Sequence, residues 1–233
     1  MLVAAAVCPC PPLLVPDVAA GAAPELDAAR DACADAVGVL AASRPDLLVV
    51  VGPAEQGAAF REGATGSFAG YGVDLSVRLG PAAPTAERLP ASLAVGAWLL
   101  ERAGWTDGPV EGLAVAEQLE PRSCLAAGED LAARAQRVAL LVLGDGSACR
   151  TLKAPGYLDE RAAGFDEAAS GALGAADTAA LAGLDAGLAH ELKAAGRAPW
   201  QVLAGAGARA GLGGRLLYED APYGVGYFVA VWS

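Results

Sequence analysis

Histidine is all but missing from this chain: His190 is the only one in 233 residues. One copy of the chain therefore cannot build a two-histidine metal site, and a Ser-His-Asp triad would have to recruit His190 itself. His190 stands between polar neighbours, with Glu191 and Lys193 close by on a stretch that buries Leu188 and Leu192. It reads as a solvated helix residue. Lysine is nearly as scarce, Lys153 and Lys193 being the only two against 14 arginines. The net charge is −11, and no cluster of basic residues interrupts it. That excludes a nucleic-acid partner. No apolar run approaches the ~20 residues needed to span a bilayer, so no membrane role is expected. Leu2–Val7, ahead of Cys8, has too short an apolar core for a lipoprotein signal and reads as a first strand. There is no internal repeat and no linker, which predicts one domain over 1–233. The five cysteines are odd in number and scattered, a pattern of reduced thiols in a cytoplasmic protein.

What is present is hydrophobic: 55% of the residues are apolar and only 18% charged, which excludes disorder. The chain is organised around Val138–Leu143, an uncharged run ended by Gly144-Asp-Gly-Ser. Such a run reads as a strand buried on both faces, as in a parallel sheet. Leu2–Val7 and Leu47–Val51 are of the same kind, the latter ended by Gly52-Pro53, and a helical apolar spacing over 24–43 joins them into a βαβ unit. Further helices are expected at 89–103, with Pro90 in the first turn, and at 125–136, 158–173 and 199–208. Another, carrying Leu181, Leu184, Leu188 and Leu192, should be N-capped by Asp177. Strands are expected at 73–79, 112–116, 215–219 and 225–232. Gln56–Gly70 reads as a loop, a lid over the site, and Gly205–Gly214 as a mobile connection. The fold class predicted is α/β: a single domain with a mostly parallel central sheet flanked by helices.

Loops at the carboxyl ends of such strands carry the ligand sites of open α/β sheets, so Asp145–Lys153 should lie on a site rim. Cys8-Pro-Cys10 offers two thiols to a soft metal, although a lone C-x-C lacks a second ligand pair. Glu55, Asp145, Glu219 and Asp220 are acids near strand ends. Ser147 or Cys149 as a hydrolase nucleophile lacks an evident activating base.

Several of these landmarks together resemble the class III extradiol ring-cleavage dioxygenases, the LigB-like family. They are Cys10-Pro-Pro-Leu-Leu, Val49-Val-Val-Gly-Pro and Leu143-Gly-Asp-Gly-Ser-Ala-Cys-Arg, then Pro155-Gly-Tyr and Phe165-Asp. Pro199-Trp-Gln-Val-Leu-Ala-Gly-Ala and Tyr223-Gly-Val-Gly-Tyr-Phe-Val-Ala complete the set. They span nearly the whole chain, which looks most like an actinobacterial branch of that family. The resemblance implies an Fe(II) held by two histidines and a carboxylate, with a further histidine as acid–base. Carried over by motif, the histidine positions fall at Cys10, Ala54, Arg150 and about Gly196, and none is histidine here.

Two readings follow. In the first, the fold has lost its iron site, no metal is expected, and the pocket binds a small ligand or serves as a scaffold. Cys10, Ala54, Glu55, Asp145, Ser147, Cys149, Arg150 and Lys153 are the pocket candidates. Arg150 and Lys153 would favour an anionic ligand, unless Arg150 instead pairs with Asp145 or Glu55. In the second, the chain is a ring-cleavage oxidoreductase or other metalloenzyme with an unorthodox site of Cys10, Glu55 and Cys149, which suits Zn or Cu better than Fe(II). Family enzymes often need a partner subunit, so a second copy or another chain is a further expectation.

Overall fold

Every residue of Val138–Leu143 is buried. In the computed structural model, which describes residues 1–233, the reason is plain. This strand lies at the middle of a seven-stranded sheet, and its side chains alternate between two cores. Ala139, Leu141 and Leu143 enter one core of 33 buried residues; Val138, Leu140 and Val142 enter another of 32. With both faces equally covered, an uncharged run is the only sequence that the position tolerates.

In chain order the elements are β1 (Leu2–Cys8), α1 (Pro16–Ala19), α2 (Asp27–Ala42), β2 (Leu47–Ala54), β3 (Ala58–Phe60), β4 (Thr65–Ser67), β5 (Ser76–Arg78) and α3 (Ala91–Arg102). Next come β6 (Val110–Ala116), α4 (Pro121–Ala132), β7 (Val138–Leu143), α5 (Arg161–Ala175), α6 (Thr178–Ala182), α7 (Ala186–Glu191), α8 (Arg197–Gly207), β8 (Gly214–Asp220) and β9 (Tyr227–Trp232). The strand order is β3-β6-β2-β7-β1-β9-β8. The central four, β6, β2, β7 and β1, run parallel, and antiparallel strands close both flanks. Helices α2 and α3 cover the first core; α4, α5 and α8 cover the second. Neighbours β2 and β7 therefore send their next helices, α3 and α5, to opposite faces. That opens a crevice at their carboxyl ends.

Several local expectations are revised. Strand β2 runs through Gly52-Pro53 to Ala54. Its pairing with β7 ends at Val51–Val142 while that with β6 continues, so Pro53 sits where one neighbour remains and a missing N–H is tolerated. Gly52 is needed for packing: a Cβ there would lie 2.8 Å from Ser92 Oγ, which donates to Pro53 O at 2.6 Å. Gln56–Gly70 is not a bare loop, because β3 extends the sheet beside β6 and β4 pairs with β5. Pro90 is the N-cap of α3 in extended conformation and precedes the first turn.

The predicted helix at 125–136 starts earlier, at Pro121. Asp177 caps as expected, accepting from Ala179 N and Ala180 N, but the helix it starts is short. Asp185 caps a second one by accepting from Leu188 N, so the apolar series Leu181–Leu192 spans two helices. Gly205 and Gly207 lie inside α8 and are not part of a mobile connection. A Cβ on Gly205 would meet Leu125 O at 2.1 Å, and one on Gly128 would meet Val202 O at 2.0 Å. These two glycines let α4 and α8 pack backbone against backbone. No helix is long and apolar enough to cross a membrane.

Candidate functional site at the strand ends

The parallel register brings four loop starts to one edge. The β2–β7 pairing ends at Val51–Val142, and each strand runs on three residues past it, β2 to Ala54 and the β7 segment to Asp145. On one side Glu117, just past β6, donates its N–H to Ala54 O at 3.1 Å. On the other, Cys10 after β1 donates its N–H to Asp145 Oδ1 at 2.8 Å. Asp145 O accepts the Gly196 N–H at 2.8 Å, which ties the start of α8 to the same loop. Gly144 makes that approach possible, since a Cβ there would fall 2.4 Å from Gly196 Cα.

Burial pushes the Asp145 carboxyl up to about 7, an effect that the Cys10 N–H only partly offsets. It is therefore close to half-protonated at neutral pH and able to give or take a proton. The Cys10 thiol is also driven well up, by burial and then by the charges of Asp145 and Glu117. It stays a thiol, which is a poor metal ligand. Burial and Asp145 likewise raise the Tyr227 hydroxyl, keeping it a hydrogen-bond donor.

Beside this edge lies an open cleft of 530 Å³, whose wall includes Pro53, Ala54, Glu55, Phe60, Arg88 and Glu117. Its size is that of small-molecule pockets. Of the expected pocket residues, Ala54 and Glu55 line this cleft, and the buried Cys10 pairs nearby with the half-buried Asp145.

Ser147, Cys149 and Arg150 turn elsewhere. Asp166 on α5 is fully buried, accepting Ser147 N at 2.7 Å, Ser147 Oγ at 2.8 Å and Arg150 Nη1 at 3.0 Å. Burial still outweighs these bonds and raises its pKa. Two glycines make room for this carboxylate, because a Cβ at Gly146 or Gly226 would come within 2.7 or 2.6 Å of its oxygens. The strand-end loop is then sewn to the approach of β9: Gly146 N donates to Gly226 O, Gly226 N to Ser147 O and Arg150 N to Gly224 O. The expected partner of Arg150, Asp145 or Glu55, is thus corrected to Asp166. Lys153 is exposed in the following loop, and neither cation lines the cleft.

The unorthodox metal set is also corrected. Cys10 packs into the first core and Cys149 into the second, on opposite faces of the sheet. Cys149 Sγ donates instead to Leu192 O at 3.5 Å. No three His, Cys, Asp or Glu side chains anywhere in the chain converge to hold a metal. The donor set does not fit an Fe(II) centre. His190 is exposed on α7, and all five cysteines are free and buried. Glu219 and Asp220 lie on β8 at the far edge, where Glu219 accepts from Ser170 Oγ at 3.0 Å.

Sequence reasoning missed Glu117, Tyr227, Asp166 and Arg197. For Asp166 a signal exists: it is the one acid on the apolar stripe Ala162, Phe165, Ala169, Leu173 of α5. Arg197 and Gln201 are polar in a helix otherwise buried along its length.

The architecture defines an α/β protein with a strand-end cleft. No family model matches the chain, and no curated protein matches it. Its fold is similar to that of an uncharacterized protein of Escherichia coli K12, JW3007, with a TM-score of 0.60 at 14% identity over 99% of both chains.

Proposed function

We propose that this chain is a LigB-like extradiol dioxygenase fold whose iron site has been lost and whose strand-end cleft is kept to bind a small ligand. One observation carries the reading. Cys10 and Gly196, two of the four positions where the resemblance calls for histidine, both hydrogen-bond Asp145, and a third, Ala54, ends the neighbouring strand β2, yet none offers an imidazole. The fourth, Arg150, is committed to Asp166. Glu55 and Phe60 in a cleft of 530 Å³ favour binding over a purely scaffolding role. The alternative of a ring-cleaving oxidoreductase with Zn or Cu on Cys10, Glu55 and Cys149 is disfavoured, because its two thiols lie on opposite faces of the sheet.

The test is metal analysis by mass spectrometry of untagged protein, purified without oxygen or chelators and again after reconstitution with Fe(II). It is paired with oxygen uptake in the presence of a catechol. The expected result is no stoichiometric Fe, Zn or Cu and no uptake. Near-stoichiometric metal that disappears in Cys10→Ser or Asp145→Asn, together with catechol-dependent uptake, would overturn the proposal. The binding half is read by NMR with a small-molecule library: shifts should cluster at the amides of Ala54, Phe60 and Leu89, and scattered shifts refute it.

A further inference from the structure

Arg197, the first residue of α8, is only 3% exposed and belongs to no ion pair. Its partners are all neutral. Nη1 donates to Leu119 O at 2.6 Å and to Gln201 Oε1 at 3.1 Å, Nη2 donates to Glu117 O, and Nε–H has no acceptor. A guanidinium withdrawn from water without a counter-charge is expensive, and an orphaned donor adds to the expense. Arg197 also lines a cavity of 460 Å³ between α7 and α8, into which Lys193 and His190 bring further donors among alanines. Lys193 is exposed and has no ion-pair partner. The nearest acid on α7, Glu191, is engaged by Arg161 at 2.7 Å. Because Arg197 is the first residue of α8, the amino end of that helix borders the pocket and adds partial positive charge. Glu117 is the one acid on the wall; it is exposed, and it meets Arg197 through its backbone carbonyl. In a chain of net charge −11, this concentration of unpaired donors around a cavity calls for a negative occupant.

We infer that this pocket binds a small oxyanion, the carboxylate or phosphate group of a small molecule, which serves as counter-ion to Arg197 and Lys193. The assignment is independent of the strand-end cleft, with which the pocket shares only Glu117.

Calorimetric titration of the full chain with inorganic phosphate and with malonate tests it, with NaCl at matched ionic strength as control and a chelator present. A metal in the strand-end cleft would then leave the result untouched. Saturable binding of either anion is expected, and which one binds more tightly separates phosphate from carboxylate recognition. Lys193→Gln combined with His190→Gln changes only exposed side chains and should weaken binding at least tenfold. Arg197→Lys keeps the charge but not the fork, and should weaken it further. Absence of saturation beyond the NaCl control, or unchanged affinity in the double variant, overturns the inference.

Discussion

Replacing Asp145 by asparagine isolates the electrostatic cost of the strand-end site. Its carboxyl titrates at about 7 in the folded protein against an ordinary 3.8, because burial penalises the charge more than the Cys10 N–H relieves it. The folded state therefore holds this proton more tightly than the unfolded chain does. Below 3.8 both states are protonated and the group costs nothing. As pH rises, the unfolded chain releases its proton first, and stability falls until the folded group ionises near 7. At about 1.4 kcal/mol per unit, that window removes about 4 kcal/mol. Asparagine keeps the oxygen that accepts the Cys10 N–H at 2.8 Å and never ionises. Asp145→Asn should match the parent near pH 4 and exceed it by about 4 kcal/mol at pH 8. Urea unfolding followed by tryptophan fluorescence between pH 4 and 8 reads the difference. Parallel pH profiles for parent and variant would refute the reasoning, since they would mean that Asp145 ionises alike in both states.

Other predictions rest on packing and on the buried pair. Gly128→Ala and Gly205→Ala each set a methyl about 2 Å from a carbonyl oxygen of the facing helix, so α4 and α8 must move apart. Overpacking of this kind outweighs the gain in helix propensity, for a net loss of about 2 kcal/mol each in thermal unfolding. The double variant should lose less than the sum, because both relieve the same gap. Gly171→Ala on α5 meets nothing within 4 Å and should instead raise stability slightly. Arg150→Ala should destabilise the fold by about 2 kcal/mol, since it strands a fully buried Asp166 while Arg150 itself is 31% exposed. Ligand binding in the strand-end cleft should be unchanged by it; calorimetry on the same variant checks that.

The sequence by itself determined the elements whose signals are local. The uncharged run Val138–Leu143 had to be a strand covered on both faces, and Leu2–Val7 and Leu47–Val51 had to join it, because a charge at any of these positions except Val3 would be buried. Asp177 announced a helix start through a hydrogen bond within its own turn. With His190 as the only histidine, one copy of the chain could not supply two imidazoles to a metal.

Contacts between distant segments were a matter for the tertiary structure alone. Leu181, Leu184 and Leu192 enter one core although Asp185, which accepts the Leu188 N–H, divides their series into two helices. Gly205 read as the start of a mobile connection, yet with Gly128 it serves a helix crossing between positions 77 apart in the chain. Arg150 was expected to pair with Asp145 or Glu55 but found Asp166 on the next helix, and Cys10 and Cys149 were parted by the sheet itself. A strand's pattern says which faces are buried and not what meets its ends. The pairing of Asp145 with Cys10, and the isolation of Arg197, follow from register and helix docking, which no local sequence signal encodes.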